Sequence, residues 1–351
     1  MSSIPAVAQA WRLPVDRNSW NAHKSLQLRE VKISPPKKGE VLVKLHAAAL
    51  NFRLPGKHTL GRQSVLLDLT ARASFLPAMV RAKSLLWVKA SQSEKRAIVF
   101  IRCSMKPGLM VHSRTNLCTI PLAEPRQDVS PNTEFLRLRA CSPSLRISPT
   151  KKPLLLAWHA FFEKGSITDK STVLVLGSGG VSVFGAQLAK AAGARVVATT
   201  SSKAKAEQYK LLGVDEVVNY REIPEWSTKV KELTGGKGVD HVLEIGGEGT
   251  ILHSVESIRP DGLVHVIGAV ASSTPSSGSL AEFGLAVLAT PATVSGILVG
   301  SKAMCERLDN FMIEHKIKPI IDRVFGWNEV VEALDYQLTG GHFGKIVVKI
   351  D

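Results

Sequence analysis

The stretch Val173–Gly185, VLVLGSGGVSVFG, decides the fold. A short run of β-branched and apolar residues ends in Gly177, Gly179 and Gly180, and Val181, Phe184, Leu188 and Ala191 then share one helical face. The spacing predicts a strand, a tight turn and a helix. In such a turn the backbone bends sharply and lets a pyrophosphate approach helix N–H groups that bear partial positive charge. The pattern G-x-G-x-x-G is met at Gly177 and Gly179, with Ser182 in the third place. A turn that binds nothing is the bland alternative, and the strand–helix context favours the dinucleotide.

Working outward, short β-branched runs alternate with helical patterns. Strands are expected at residues 171–177 and from Arg195, Glu216, Asp240 and Leu263. Helices are expected at 181–192, 203–212, from Pro224 to near Gly235, and at 250–258. This alternation predicts a doubly wound parallel α/β sheet, the Rossmann class. Further on, a sixth strand is expected near Thr293, a helix over 301–314, a strand over 319–324, a helix over 327–338 and a last strand from Lys345. Residues 9–53 read as β structure, with 40–46, EVLVKLH, alternating apolar and polar residues.

The end of the second strand discriminates between cofactors. An acidic residue about 20 positions after the first glycine would take the ribose 2′-OH of NAD. Here Thr199-Thr200-Ser201-Ser202 is followed by Lys203 and Lys205, with no carboxylate before Glu207. Hydroxyl and ammonium groups suit a 2′-phosphate, which points to NADP(H). The alternative makes both lysines solvated helix positions.

Composition sets wide bounds. With 351 residues, 44% hydrophobic and 21% charged, the chain excludes collagen, coiled coil and wholesale disorder. Four cysteines, at 103, 118, 141 and 305, do not make a disulfide framework and fit a reducing, cytoplasmic setting. The N-terminus lacks the pattern of a signal peptide. The uncharged run 283–301 reads as a buried helix, a break at Pro291 and a buried strand rather than a membrane span.

The net charge of +15 is uneven, because residues 54–150 hold 15 Lys and Arg against 5 Asp and Glu. No aromatic interleaving or nucleic-acid motif accompanies that excess, so neither a nucleic acid nor a membrane is expected as partner. The same segment has only three glycines in 97 residues, while the other 254 residues hold 24. Neither period, 2 nor 3.6, is sustained there. We read it as translated intron or out-of-frame sequence in preference to an irregular insertion.

At this point the chain resembles the medium-chain dehydrogenase/reductase superfamily, in its zinc-independent quinone-oxidoreductase-like branch. The resemblance is carried by 39–53 (GEVLVKLHAAALNFR), 157–165 (AWHAFFEKG), 173–182, 187–202, 212–222 (LGVDEVVNYRE), 235–247 (GGKGVDHVLEIGG), 259–268 and 340–350 (GGHFGKIVVKI). It implies a GroES-like catalytic domain over 1–156, a Rossmann domain over 157–300 and a C-terminal return over 301–351. It also implies NADP(H), a small-molecule substrate and, since relatives are often dimers through the Rossmann sheet edge, a homodimer. By resemblance, Gly179, Gly180 and Val181 hold the pyrophosphate, Ser201, Lys205 and Tyr220 the 2′-phosphate, and Gly246 and Gly268 the nicotinamide side. Asn51 would sit by the nicotinamide or substrate, and Phe343-Gly344-Lys345 would close over the cofactor.

The resemblance stops at Arg53 and resumes near 157, and Leu156 stands where the family often has Thr. Catalytic zinc would need residues absent from that gap. Structural zinc would need closely spaced cysteines, whereas Cys103, Cys118 and Cys141 are 15 and 23 positions apart. No metal is expected, and His159 reads as a helix-surface residue rather than an acid. The expected activity is NADPH-dependent hydride transfer to a quinone, enone, or aldehyde/alcohol substrate. The alternative is cofactor binding without turnover, owing to the disrupted segment.

Overall fold

The computed structural model describes residues 7–16, 19–33, 40–51, 87–90, 97–104, 151–268 and 279–350. The first strands are β1 (Val7–Arg12), β2 (Gln27–Lys32), β3 (Glu40–Leu45), β4 (Ala47–Ala49), β5 (Trp87–Ala90) and β6 (Ala97–Ser104). Helix α1 (Lys151–Trp158) continues into a π-helical turn, His159–Lys164. Then β7 (Thr172–Val175), α2 (Gly180–Ala191), β8 (Arg195–Thr200), α3 (Lys203–Leu211) and β9 (Glu216–Asn219) alternate. They are followed by α4 (Trp226–Leu233), β10 (Val239–Glu244), α5 (Ile251–Ser257), β11 (Ile258–Val266), α6 (Leu280–Ala289) and β12 (Thr293–Gly296). The chain finishes with α7 (Lys302–Glu314), β13 (Ile321–Phe325), α8 (Val330–Leu338) and β14 (Lys345–Lys349).

Strands β7 to β12 form one parallel six-stranded sheet in the order β12-β11-β10-β7-β8-β9. The order reverses between β7 and β10, the switch point beside which such sheets bind their ligands. The central strands are apolar on both faces, as a sheet covered by helices on each side requires. Val173 and Val175 face a core with Phe161, Phe184, Leu188 and Leu308. The intervening Leu174 and Leu176 face a second core with Val197, Trp226, Val230 and Val264.

The remaining strands make an antiparallel sheet, β2-β1-β5-β6-β3, and a smaller one, β13-β14-β4. Strand β14 pairs with β4, and the N–H of Leu50 donates to Ile346 O at 3.0 Å. The end of the chain is thereby laid against residues 47–51. Strands β5 and β6 show that two stretches within 54–150 do pair; the rest of that segment, with Cys118 and Cys141, lies outside the described residues.

Two sequence expectations need correction. Thr293–Val299 was expected as a strand, but β12 stops at Gly296. The run 283–301 was expected to be buried, yet α6 has no buried residue, and Leu280, Leu285 and Leu288 are 86%, 65% and 75% exposed. The cause is position: β12 is the outer strand of its sheet, so α6 and β12 are covered on one side alone. Among the described residues, no helix is long and apolar enough to cross a membrane.

Candidate functional site

Strand β7 ends in a turn that only glycine makes without strain. Gly177 has φ of +67°, its N–H donates to Thr199 Oγ1 at 3.2 Å, and its carbonyl accepts Tyr209 Oη at 2.6 Å. Gly179 caps α2 without a side chain, and a Cβ built there would meet nothing within 4 Å. The first N–H groups of α2, those of Gly180 and Val181 included, thus carry the helix's positive end with no side chain capping them. Ser182 is fully buried and donates from Oγ to Leu176 O at 2.5 Å, which is how a hydroxyl fits in the motif's third place. The close helix–sheet approach falls instead on Gly185, where a Cβ would lie 2.4 Å from Leu243 Cδ1.

The end of β8 carries hydroxyl groups and no carboxylate. Thr200 is buried with its Oγ1 unpaired, Ser201 is half-buried, and Ser202 caps α3 by accepting the Lys205 N–H. The Tyr220 N–H donates to Thr200 O at 3.0 Å, which sets this exposed tyrosine beside the same strand end. The two lysines part company here. Lys203 is exposed, whereas Lys205 is half-buried with Nζ donating to Gly340 O at 2.6 Å. Burial, with repulsion from Arg221, holds the Lys205 ammonium below its ordinary pKa, against the attraction of Asp322.

Residues 340–345 cross the glycine turn as a strap. Ser178 Oγ donates to His342 O at 3.3 Å, and the Gly344 N–H donates to Ser178 O at 3.0 Å. The Phe343 N–H donates to Asp322 Oδ1 at 2.9 Å, and its ring meets Tyr209 edge-on at 4.9 Å. Gly344, at φ +90°, bridges to Gly179, and a Cβ there would press to 2.6 Å from Ile320 O. His342 has its buried Nδ1 unpaired; burial first, then the Lys205 and Lys345 charges, push its pKa down while Asp322 opposes them.

Lys345 is buried, and its stem runs along Gly180, where a Cβ would lie 2.8 Å from Lys345 Cδ. Its Nζ donates to Asn51 Oδ1 at 2.7 Å and to Leu50 O. Sequence reasoning named both residues and not their pairing.

Across the switch point, one carboxylate organises the end of β10. Glu244 is fully buried, and its Oε1 accepts the N–H of Gly246 at 2.6 Å, the N–H of Gly247 at 2.8 Å and Thr250 Oγ1 at 2.7 Å. Ser254 Oγ donates to its other oxygen. Burial pushes this carboxyl's pKa up and the four donors oppose that. Gly268 joins the cluster through a long 3.4 Å bond to Glu244 O. Sequence reasoning missed Glu244; its signal is an acid ending an apolar strand, with hydroxyl residues 6 and 10 positions later. His159 lies elsewhere, half-buried in the π-turn with Nδ1 2.7 Å from Leu298 O.

A parallel sheet of this order with a glycine turn at its switch point has the architecture of the Rossmann class. The comparisons sharpen that. The family model "Zinc-binding dehydrogenase" matches residues 180–314. A zinc-type alcohol dehydrogenase-like protein of Schizosaccharomyces pombe is 39% identical over 199 residues, 56% of this chain and 57% of that protein. The chain therefore matches little more than half the length of that relative. The "Probable quinone oxidoreductase" of Leishmania amazonensis is 30% identical over 62% of this chain and 69% of its own. A solved alcohol dehydrogenase-like structure from Sinorhizobium meliloti 1021 is 30% identical, covers 99% of this chain and 100% of its own, and superposes with a TM-score of 0.67. The chain belongs to the medium-chain dehydrogenase/reductase superfamily, whose members use NAD(P)H.

The turn fits such a cofactor, with open space over Gly179 and uncapped helix N–H groups below it. Among the described residues, no three His, Cys, Asp or Glu side chains gather to hold a metal ion.

Proposed function

We propose that the protein is an NADPH-dependent reductase that delivers hydride to a quinone, an enone or an aldehyde. The observation that carries the reading is the contrast at the β8 end. Lys205 is half-buried, its ammonium disfavoured by burial, amid hydroxyl groups and away from any carboxylate of its own strand end. A 2′-phosphate would add negative charge beside Lys205 to that of Asp322, with Ser201 and Tyr220 at its edge and Lys203 at its exposed margin. Gly177, Gly179, Gly180 and Val181 would hold the pyrophosphate by backbone N–H groups, and Phe343 would lie over it. Gly246 and Gly268 would border the nicotinamide, which supplies the hydride when bound. Asn51 would polarise the acceptor's oxygen by donating from Nδ2, the work that zinc performs in other members.

The proposed assembly is a homodimer. Its support is the outer edge of β12 with the exposed leucines 280, 285, 288 and 298 beside it. The cysteine usage supports a cytoplasmic, reducing setting, and the buried Cys305 is in no disulfide.

The test is NADPH and NADH titration by cofactor fluorescence, followed by NADPH oxidation with 1,4-benzoquinone, 9,10-phenanthrenequinone and 2-cyclohexenone. Lys203→Glu/Lys205→Glu should weaken NADPH by about a hundredfold and NADH by less than about threefold. Equal weakening of both would overturn the NADP reading. Tight NADPH binding with no oxidation by any acceptor would instead favour a cofactor binder without turnover.

A further inference from the structure

We propose that Lys345 is a positioning residue that sets the direction of the Asn51 carboxamide. The inference rests on the reading above, in which Asn51 polarises the acceptor. An ammonium group has donors and no acceptor, so the Asn51 atom that faces Lys345 Nζ at 2.7 Å has to be Oδ1. The planar amide then turns Nδ2, its two-donor end, the opposite way. On that side Nδ2 makes a 3.5 Å contact with Ala49 O, at the limit of a hydrogen bond, which leaves a donor for an incoming oxygen. Without Lys345 the flipped amide would present Oδ1 to the acceptor and repel it.

The anchor is firm because Lys345 is 6% exposed and held at both ends. Its N–H donates to Ile320 O at 3.0 Å, and its ammonium bridges Leu50 O and Asn51 Oδ1. The stem between them lies on Gly180, the first residue of α2, and a side chain there would collide with it. The cofactor turn and the acceptor-polarising amide are therefore joined through one side chain. The Nζ itself is engaged by the oxygens of residues 50 and 51.

The experiment compares Lys345→Met, which keeps the stem, Asn51→Ala and the double variant, in the full chain. NADPH affinity is read by fluorescence, turnover with 9,10-phenanthrenequinone, and Tm without cofactor. Lys345→Met should lower kcat by about tenfold or more, change the NADPH Kd by less than about threefold, and cost nothing further in the Asn51→Ala background. Lys345→Gln, which keeps a donor one bond shorter, should regain part of kcat. The Tm shifts of the single variants should not add in the double variant, a readout that needs no activity. A Kd raised about tenfold with kcat retained at saturation would make Lys345 a phosphate ligand and overturn the proposal. Additive Tm shifts would overturn it too, by removing the contact. If Asn51→Ala alone leaves kcat intact, the reading of Asn51 fails and the positioning role falls with it. The Tm cycle would still tell whether the contact itself exists.

Discussion

Lowering the pH from 7 to 5 should weaken the protein through its buried imidazoles, His265 above all. His265 on β11 is fully buried, and its ring stacks on that of His241 from β10 with centroids 5.5 Å apart. Phe161 stands edge-on to both rings. His265 Nε2 is 3.2 Å from His241 Nδ1, and His265 Nδ1 is buried without a partner. The neutral arrangement that strands no buried N–H has Nε2 donating to His241, with the orphan Nδ1 bare. A further proton would then sit on that orphan with nothing to receive it. Burial, with repulsion from His241 and His159, holds the His265 pKa down to about 3.

An unfolded histidine titrates near 6.5, so below that pH the unfolded chain takes up a proton that the fold refuses. Stability from this site is complete above about pH 6.5 and is lost as pH falls toward 3. At pH 5, about one and a half units below the unfolded value and at about 1.4 kcal/mol per unit, the loss is about 2 kcal/mol. The perturbation is His265→Gln, whose terminal amide reaches the Nε2 position and does not titrate. Urea unfolding, followed by tryptophan fluorescence, is measured at pH 7 and pH 5 for both proteins. The variant starts less stable, and the wild type should lose about 2 kcal/mol more than it does between the two pH values. Equal losses would refute the reasoning.

Three further outcomes are expected. Gly185→Ala should lower stability by about 1 to 3 kcal/mol in calorimetry, because its methyl would overlap Leu243 Cδ1, 2.4 Å away. Glu244→Gln replaces one acceptor oxygen by a donor facing groups that also donate. It should cost about 2 kcal/mol or more in urea unfolding and weaken NADPH binding as the Gly246-Gly247 loop loosens. Leu285→Glu/Leu288→Glu should leave secondary structure unchanged by circular dichroism and convert a dimer to a monomer in light scattering. A native mass that is monomeric already in the wild type would remove the dimer proposal.

Much of the Rossmann half was legible because its signals are local. Glycines at 177 and 179 punctuate a β-branched run, and Val181, Phe184 and Leu188 recur on one helical face. The expected elements from Ser171 onward agree with the observed ones to within a few residues, apart from the corrected β12 and an earlier start of β11 at Ile258. The misjudged burial of α6 has a plain cause: an apolar run states a preference for cover, and the strand's place in the sheet decides whether cover exists.

The sequence by itself determined the alternation of strands and helices, the glycine turn after β7 and the absence of a carboxylate after β8. Each depends on residues within one or two turns of chain, where φ/ψ preferences and side-chain periodicity act directly. Only the tertiary structure decided that Lys205 is pinned under Gly340 while Lys203 is in water, and that Glu244 gathers four donors. It alone brought Lys345 to Asn51 across 294 positions of chain. Such contacts follow from strand order and from which backbones lie close enough to leave room for a side chain. No periodicity encodes these, because burial and pairing across the sheet are settled only when the distant segments have packed.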